Sequence, residues 1–108
     1  MNLRQLEFFV RVAEQGSFSR AAATLGVSQP ALSRSVRQLE TGLRQHLLYR
    51  TGRGVEPTDA GKCFLSYGNA MLELMARAQD ELRALKSEPA GRVALGLRRL
   101  SIIDPEGG

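Results

Sequence analysis

The first half of the chain repeats apolar residues at helical spacing, and this pattern predicts three helices. The first helix covers 3–14, and its apolar stripe consists of Leu3, Leu6, Val10 and Ala13, with Phe9 beside it. Gln15 and Gly16 end it, because glycine is the usual residue just past a helix. Ser17 caps a second, short helix that Gly26 ends. The inner side of the second helix is lined by Phe18, Ala21, Ala22 and Leu25.

The third predicted helix is apolar on one side and polar or basic on the other. Ser28 is its natural cap, and Pro30 is tolerated in the first turn because a backbone N–H has no helical partner there. The buried stripe consists of Leu32, Val36, Leu39 and Leu43. The opposite side consists of Pro30, Arg34, Arg37, Gln38 and Thr41, with Gln29 and Ser33 on its flank. Arg34 and Arg37 are therefore expected to point away from the core.

A β-hairpin follows the third helix. Residues 47–50 and 55–57 have the composition of short strands, and the segment 51–54 between them is predicted to be a turn. Two glycines in this segment permit positive φ. The turn places Arg53 at the tip of the hairpin.

The fourth predicted helix is the longest element and covers 59–86, with Thr58 as its cap. Its apolar seam repeats at nearly heptad spacing and consists of Phe64, Tyr67, Met71, Leu74, Ala78, Leu82 and Leu85. Such a helix reaches about 40 Å, which is more than three short helices can cover. We therefore expect its free length to pack against a second copy of the chain. Beyond it, 92–97 alternates like a strand, and a disordered tail is expected from residue 98 on.

Composition limits the chain to a small globular protein without evident catalytic or metal chemistry. Its 108 residues suffice for one domain, and no apolar run reaches the roughly 18 residues of a membrane span. The N-terminus lacks an apolar signal sequence, so a cytoplasmic protein is expected. The single Cys63 and the single His46 exclude a disulfide framework, a multi-cysteine zinc site and a histidine-rich metal site. We expect no cofactor and no enzymatic activity.

Positive charge is concentrated in the first half of the chain. Residues 1–57 contain eight arginines and four glutamates, whereas 58–108 contain equal numbers of basic and acidic residues. From Arg20 to Arg53, six arginines are accompanied by one acidic residue, Glu40. Arginine suits phosphates and guanine edges, so this concentration indicates a polyanionic partner. On charge alone, a solvated basic surface explains the pattern equally well.

A short helix, a tight turn containing glycine and a helix with a polar outer side together predict a helix-turn-helix. In this motif the second helix enters the major groove of DNA. Ala22 is small where the helices approach closely, and Gly26 suits a left-handed backbone. The side chains able to reach a groove or a phosphate are Gln29, Ser33, Arg34, Arg37 and Gln38. Arg53 at the hairpin tip suits an adjacent minor groove, where the negative potential favours arginine.

The sequence resembles the LysR-type bacterial transcriptional regulators over about residues 1–97. The matching motifs are Leu-Glu-Phe-Phe-Val at 6–10, Gly-Ser-Phe-Ser-Arg-Ala-Ala at 16–22, Leu-Gly-Val-Ser-Gln-Pro-Ala-Leu-Ser-Arg at 25–34, Arg-Thr-Gly-Arg-Gly-Val at 50–55 and Pro-Thr-Asp-Ala-Gly at 57–61. The resemblance implies a mainly α fold. A winged helix-turn-helix, with a three-helix core and a two-stranded wing, would cover 1–58. A linker helix that forms a dimer would cover 59–86, and a linker and tail would cover 87–108.

The resemblance also implies where DNA is contacted. It assigns Arg50 and Arg53 to the wing, and it places at the major groove Gln29, Pro30, Ser33 and Arg34. Further candidates for DNA contact are Ser17, Arg20, Ser28, Arg37 and Gln38. Helix capping is the alternative role for Ser17, and bracing of the hairpin is the alternative for Arg50. The implied partners are double-stranded DNA, bound at an inverted repeat, and a second copy of the chain.

The chain departs from the family pattern in two places. Arg44-Gln45-His46 occupies positions where the family usually has a glycine and an apolar residue, and Gly42 replaces a usual helix former. A looser or shorter end of the third helix is therefore expected. Family members also carry a long effector domain, whereas this chain diverges after Leu97. We expect no inducer pocket in it and interpret it as a DNA-binding fragment or a natural truncation.

Two functions remain open from the sequence. The first is a sequence-specific DNA-binding module that acts as a dimer. The second is a truncated dimerisation partner, which forms mixed dimers with a full-length regulator through the linker helix. Met71 and Met75 are expected to pack rather than to bind a ligand, and Cys63 and His46 are expected to carry no chemistry.

Overall fold

The computed structural model describes residues 1–87, which form four helices and a two-stranded antiparallel sheet. The helices are α1 (Leu3–Gln15), α2 (Phe18–Leu25), α3 (Gln29–Leu43) and α4 (Asp59–Ser87). The strands are β1 (Leu48–Thr51) and β2 (Gly54–Pro57). This architecture confirms the predicted mainly α winged helix-turn-helix followed by a long helix. The predictions for 88–108, including the strand at 92–97 and the tail, lie outside the described residues.

Local signals set the helix boundaries close to the predicted residues. The hydroxyl oxygens of Ser17 and Ser28 accept backbone N–H groups of the first turns of α2 and α3, at 3.1 and 3.2 Å. Gly16 and Gly26 end α1 and α2 in the left-handed conformation, with φ of 66° and 70°. Asn2 adds a capping box at the start of α1. Each boundary is decided by the residues beside it, which is why the sequence reveals it.

Helix α1 is buried on two sides, so the prediction of a single apolar stripe is wrong. Leu3 belongs to that stripe but is 41% exposed. Phe8 and Val12 lie outside the stripe and are buried in a first cluster with residues of α2 and α3. The second cluster, on the other side of α1, contains Leu6, Phe9, Val10, Leu39 and Leu47. Other elements therefore pack against both sides of α1. Which of its residues are buried depends on where those elements lie in the fold, and the spacing of apolar residues within α1 does not reveal this.

Helix α3 continues through Gly42 to Leu43, so the expected shortening of its end is wrong. Arg44 takes the left-handed position after the helix, with φ of 56°. Its backbone N–H donates to the carbonyl oxygen of Thr41 at 3.2 Å. A residue with a Cβ adopts this conformation at a cost of about 1–2 kcal/mol. The departure from the family's usual glycine therefore leaves the helix end in place and strains it.

The wing, formed by β1 and β2, extends one residue further toward the turn in each strand than predicted, and β1 begins one residue later, at Leu48. Thr51 pairs with Gly54, which leaves a two-residue turn of Gly52 and Arg53. The backbone N–H of Val55 donates to the carbonyl oxygen of Gly16 at 3.0 Å. A Cβ at Gly54 would lie 2.3 Å from that same oxygen, so only glycine allows this approach. The wing is thereby joined to the turn between α1 and α2.

The first compact unit of the chain extends over Met1–Leu72 and contains the start of α4. A Cβ at Gly61 would lie 2.0 Å from the carbonyl oxygen of Leu47, just before β1, and 3.1 Å from the Cβ of Pro57 in β2, so the start of α4 packs closely against the base of the wing. Phe64 is half-buried in the second cluster, and its ring centroid lies 5.9 Å from that of Phe9. The predicted dimer seam includes Phe64, but the structure places this side chain in the core of its own unit. No helix within residues 1–87 has the length and apolar character to cross a membrane.

Candidate nucleic-acid interface

Helix α3 buries one side in the core and exposes the other. Leu32, Val36 and Leu39 are buried as predicted, whereas Leu43 is half-buried. The predicted DNA-contact residues of α3 that are exposed are Gln29, Pro30, Arg34, Arg37 and Gln38, and Ser33 is half-buried. The amphipathic pattern thus places this polar and basic set on the outer side of one helix.

The two flanks of this outer side differ. Ser33 and Arg37 line a cleft between α3 and the wing, together with Tyr49 and Arg50. On the other flank, the side-chain oxygen of Gln38 accepts a hydrogen bond from the Gln5 side chain at 3.3 Å. Ser33 and Arg37 therefore share a surface with the wing, whereas Gln38 lies beside the start of α1.

The starts of α2 and α3 carry the predicted hydroxyl candidates. The oxygen of Ser17 caps α2 by accepting the backbone N–H of Arg20, and Ser28 caps α3 in the same way. Capping uses an oxygen lone pair, so each hydroxyl can still donate its proton; the hydroxyl of Ser17 also lies 3.4 Å from that of Ser19. The side chain of Arg20 is exposed on α2. The capping role of both serines is thus observed, and their contact with DNA stays a prediction.

The wing presents its two predicted arginines differently. The guanidinium carbon of Arg50 lies 5.1 Å from the ring centroid of Phe18, the first residue of α2. This cation–π contact supports the bracing role for Arg50. Arg53 is exposed in the turn, and its backbone N–H donates to the hydroxyl oxygen of Thr51 at 3.1 Å. The side chain of Arg53 therefore extends from an ordered turn.

Glu40 is a candidate positioning residue that the sequence analysis missed. Its Oε2 accepts the backbone N–H groups of Leu47 and Leu48, at 2.8 and 3.2 Å. These two bonds join α3 to the entry of β1. The available signal was its isolation, since Glu40 is the one acidic residue between Arg20 and Arg53. Its partners are backbone groups, which a side-chain motif does not reveal.

A second carboxylate near the interface accepts a hydrogen bond from a tyrosine. The hydroxyl of Tyr49 donates to Glu56 Oε1 at 3.3 Å across the strand pair. The negative charge of Glu56 raises the pKa of Tyr49 above its ordinary value of 10.0. Tyr49 therefore stays neutral near physiological pH and engages the wing carboxylate as a donor.

The exposed arginines give the interface its electrostatic character. Among those that form no ion pair within residues 1–87 are the predicted DNA-contact residues Arg20, Arg34, Arg37 and Arg53. By contrast, Arg11 pairs with Glu14 at 3.4 Å in α1. Positive groups without an anionic partner among the described residues suit a polyanion, because binding does not first require such a pair to break.

Several apolar residues of α4 are exposed in the single chain. Tyr67, Leu74 and Leu82 are each at least 60% exposed, and Met71 and Met75 are at least 36% exposed. Ala78 is also exposed, whereas Leu85 is half-buried. Apart from Met75, these residues belong to the predicted seam, whose remaining member, Phe64, is half-buried beside Phe9. Exposed apolar residues in this number are typical of a surface that a partner covers.

Within residues 1–87 no group of three or more histidine, cysteine, aspartate or glutamate side chains is arranged to hold a metal ion. Cys63 and His46 are both exposed.

Comparison with known sequences places the chain in a family. Residues 3–62 match the bacterial regulatory helix-turn-helix protein, lysR family. The chain is 43% identical over 96 residues to the nitrogen assimilation regulatory protein nac of Escherichia coli (strain K12), which covers 89% of this chain and 32% of that protein. It is 36% identical over 106 residues to the HTH-type transcriptional regulator BudR of Klebsiella aerogenes, covering 98% of this chain and 74% of BudR. The chain spans about a third of the length of relatives such as nac.

Solved structures agree with this assignment. The crystal structure of CbnR, a LysR family transcriptional regulator, has a TM-score of 0.74 and 45% identity, over 78% of this chain and 29% of that one. The BenM_DBD/catB site 1 DNA complex has a TM-score of 0.79 and 36% identity, over 82% of this chain and 99% of that one. The CbnR_DBD–DNA complex has a TM-score of 0.73 and 44% identity, over 80% of this chain and 99% of that one. With its helix-turn-helix, its two-stranded wing and its long α4, this chain belongs to the lysR family of bacterial regulatory helix-turn-helix proteins.

Proposed function

We propose that this chain is the sequence-specific DNA-binding module of a transcription regulator, acting in the bacterial cytoplasm. The observation that carries the proposal is the outer side of α3, where Arg34 and Arg37 are exposed and form no ion pair within residues 1–87. An α-helix fits the major groove, and arginine reads guanine there through two parallel hydrogen bonds. DNA complexes of two similar DNA-binding domains support this assignment.

Base reading is assigned to the first turns of α3. Arg34 and Gln29 have the length to reach base edges, and Ser33 donates from a half-buried position beside them. Pro30 offers an apolar surface that suits a thymine methyl group. Ser28 caps the helix by accepting the N–H of Ala31, and its hydroxyl is assigned as a donor to a phosphate.

Contacts to DNA phosphates are assigned to residues around α3, and they fix the position of α3 along the DNA. The start of α2 supplies backbone N–H groups, the hydroxyl of Ser17 and the charge of Arg20. Arg37 lies on the side of α3 next to the wing and is assigned to the DNA backbone. Arg53 is assigned to the minor groove beside α3, whereas Arg50 chiefly supports the wing through Phe18. Gln38 is assigned a smaller part, because Gln5 engages its side chain.

A matched pair of arginine variants tests this proposal. Arg34→Ala removes a side chain assigned to a base edge, and we expect it to weaken specific binding by about 1–3 kcal/mol. Arg11→Ala removes the same charge from α1, where Arg11 pairs with Glu14, and we expect little effect. The measurement is a binding titration with a DNA site selected from genomic fragments by the wild-type chain. Equal losses for the two variants would show that binding depends on charge alone.

We further propose that the chain binds an inverted repeat as a homodimer through α4. The support is the set of exposed apolar residues on this helix, above all Tyr67, Leu74 and Leu82. Their spacing is close to a heptad, which suits a helix–helix contact. A two-fold dimer places two copies of α3 on half-sites that are separated by turns of the DNA helix.

The same exposed residues support a second candidate, in which α4 pairs with a full-length regulator to give a mixed dimer. Purification from the source cell with and without added DNA distinguishes the two. Recovery of a stoichiometric regulator would support the mixed dimer, and recovery of the chain alone with its DNA site would support the homodimer.

A further inference from the structure

We propose that Glu40 is a positioning residue for DNA recognition, and that it sets the wing at the distance and angle from α3 at which Arg53 reaches the DNA. The inference rests on the proposed DNA-binding function and adds a coupling between its two reading elements. Glu40 touches no DNA in this account. It acts through the backbone of residues 47 and 48, whose N–H groups both donate to its Oε2.

The geometry of the two bonds makes Glu40 suited to this role. The distances of 2.8 and 3.2 Å to Leu47 and Leu48 bring one carboxylate oxygen to two successive amides at the entry of β1. Apolar contacts between the wing and the core are also present, since Leu47 and Val55 are buried. Apolar packing has no preferred direction, whereas hydrogen bonds weaken steeply away from linear geometry. The packing therefore holds the wing in place, and the paired hydrogen bonds orient it.

The wing is also held to a different part of the core, through one residue of each strand. The N–H of Val55 in β2 donates to the carbonyl oxygen of Gly16, between α1 and α2. The guanidinium of Arg50 stacks on Phe18 of α2. These contacts relate the wing to α2, whereas the Glu40 bonds relate it to α3. Removal of Glu40 thus selectively loosens the wing from the recognition helix.

The positive charge around Glu40 supports a role for its carboxylate in orienting the wing. A carboxylate lies in a stretch that otherwise contains six arginines, from Arg20 to Arg53. Negative charge there repels DNA phosphates and lowers affinity. Glu40 is half-buried and directs one oxygen inward to the two amides. The benefit of orienting the wing offsets this repulsion, whereas a residue without such a role would gain nothing from the charge.

The test is a double-mutant cycle on DNA affinity, measured with the full chain and a selected DNA site. In the wild-type background, Arg53→Ala and Arg34→Ala should each weaken binding about tenfold. In the Glu40→Ala background, Arg53→Ala should weaken binding less than about twofold, because the wing no longer holds Arg53 against the DNA. In the same background, Arg34→Ala should still weaken binding about tenfold. Glu40→Gln should retain most of the Arg53 effect, since an amide oxygen can accept both N–H groups.

Two further variants keep the test decisive. Glu40→Met preserves side-chain length and helix propensity while removing the strong acceptor, so it replaces Glu40→Ala if that variant loses its helical circular dichroism. Glu56→Gln removes a negative charge from the wing without touching α3, and it should leave the Arg53 effect unchanged.

The outcomes separate this inference from the proposed function. An undiminished Arg53 effect in the Glu40→Ala or Glu40→Met chain overturns the role of Glu40, as does a loss of the Arg34 effect together with it. A folded Glu40→Gln chain that behaves like Glu40→Ala overturns the hydrogen-bond explanation. An Arg53→Ala chain with wild-type affinity overturns the premise that the wing contributes. Absence of any specific site for the wild-type chain refutes the proposed function itself, and this is measured first.

Discussion

Three glycines that lie in helices differ in what an added methyl group would meet, so alanine substitutions test the packing directly. At Gly42 in α3, a Cβ would have no heavy atom within 4 Å. At Gly68 in α4, it would lie 3.0 Å from a methyl carbon of Leu6. At Gly61, near the start of α4, it would lie 2.0 Å from the carbonyl oxygen of Leu47. The same chemical change therefore meets open space, a side chain and a backbone atom.

The expected free energies follow from these distances. Replacing glycine by alanine inside a helix stabilises it by up to about 1 kcal/mol, and Gly42→Ala should show most of this gain. At Gly61 the methyl group must displace the Leu47 carbonyl, which accepts the N–H of Thr58 at 3.0 Å. Loss of that bond costs about 1 kcal/mol and overpacking about 1–3 kcal/mol. After the gain in helix propensity is subtracted, Gly61→Ala should lower the free energy of unfolding by about 2 kcal/mol. At Gly68 the gain in helix propensity and the cost of the contact with the Leu6 side chain should nearly cancel.

The assay is urea unfolding followed by helical circular dichroism, at one fixed concentration because dimerisation adds apparent stability. A loss of about 2 kcal/mol lowers the midpoint by roughly 1 M urea for a chain of this size. The order of midpoints should be Gly42→Ala, then wild type and Gly68→Ala together, then Gly61→Ala. A Gly61→Ala chain as stable as wild type would refute the close approach of α4 to the wing.

Three further predictions concern single side chains. Arg44→Gly should raise the free energy of unfolding by about 1 kcal/mol, because Arg44 has φ of 56°; an unchanged urea midpoint would contradict this strain. Arg50→Ala should lower it by about 0.5–1 kcal/mol through loss of the contact with Phe18, whereas Arg53→Ala should not, and equal effects would argue against bracing. Leu74→Asp should convert a dimer to monomer in sedimentation at micromolar concentration, and a wild-type monomer would rule out the α4 interface.

The helix boundaries could be predicted because their causes are local. Ser17 and Ser28 cap α2 and α3, and Gly16 and Gly26 take the left-handed positions after α1 and α2. Each of these roles depends on residues within one helical turn. The polar outer side of α3 was also predictable, since its period places Arg34 opposite the buried leucines.

Contacts between distant segments could not be predicted in the same way. The burial of Phe8 on a second side of α1 depends on where α2 and α3 pack. Phe64 fits a heptad seam by spacing, yet its ring lies beside Phe9 in the core of the first unit. The Glu40 carboxylate binds backbone amides seven and eight residues away, which no pattern of side chains indicates. Arg44 shows that an unfavourable residue can occupy a cap when the surrounding helix fixes it there.

The central claim is that α3 and the wing recognise a DNA sequence and do not merely bind negative charge. The most direct measurement mixes the purified chain with fragmented DNA from its source and sequences what is retained near physiological salt. We predict enrichment of a few fragments that share an inverted repeat, with half-sites separated by turns of the double helix. Retention without enrichment, lost as salt rises, would leave only phosphate binding and would contradict the claim.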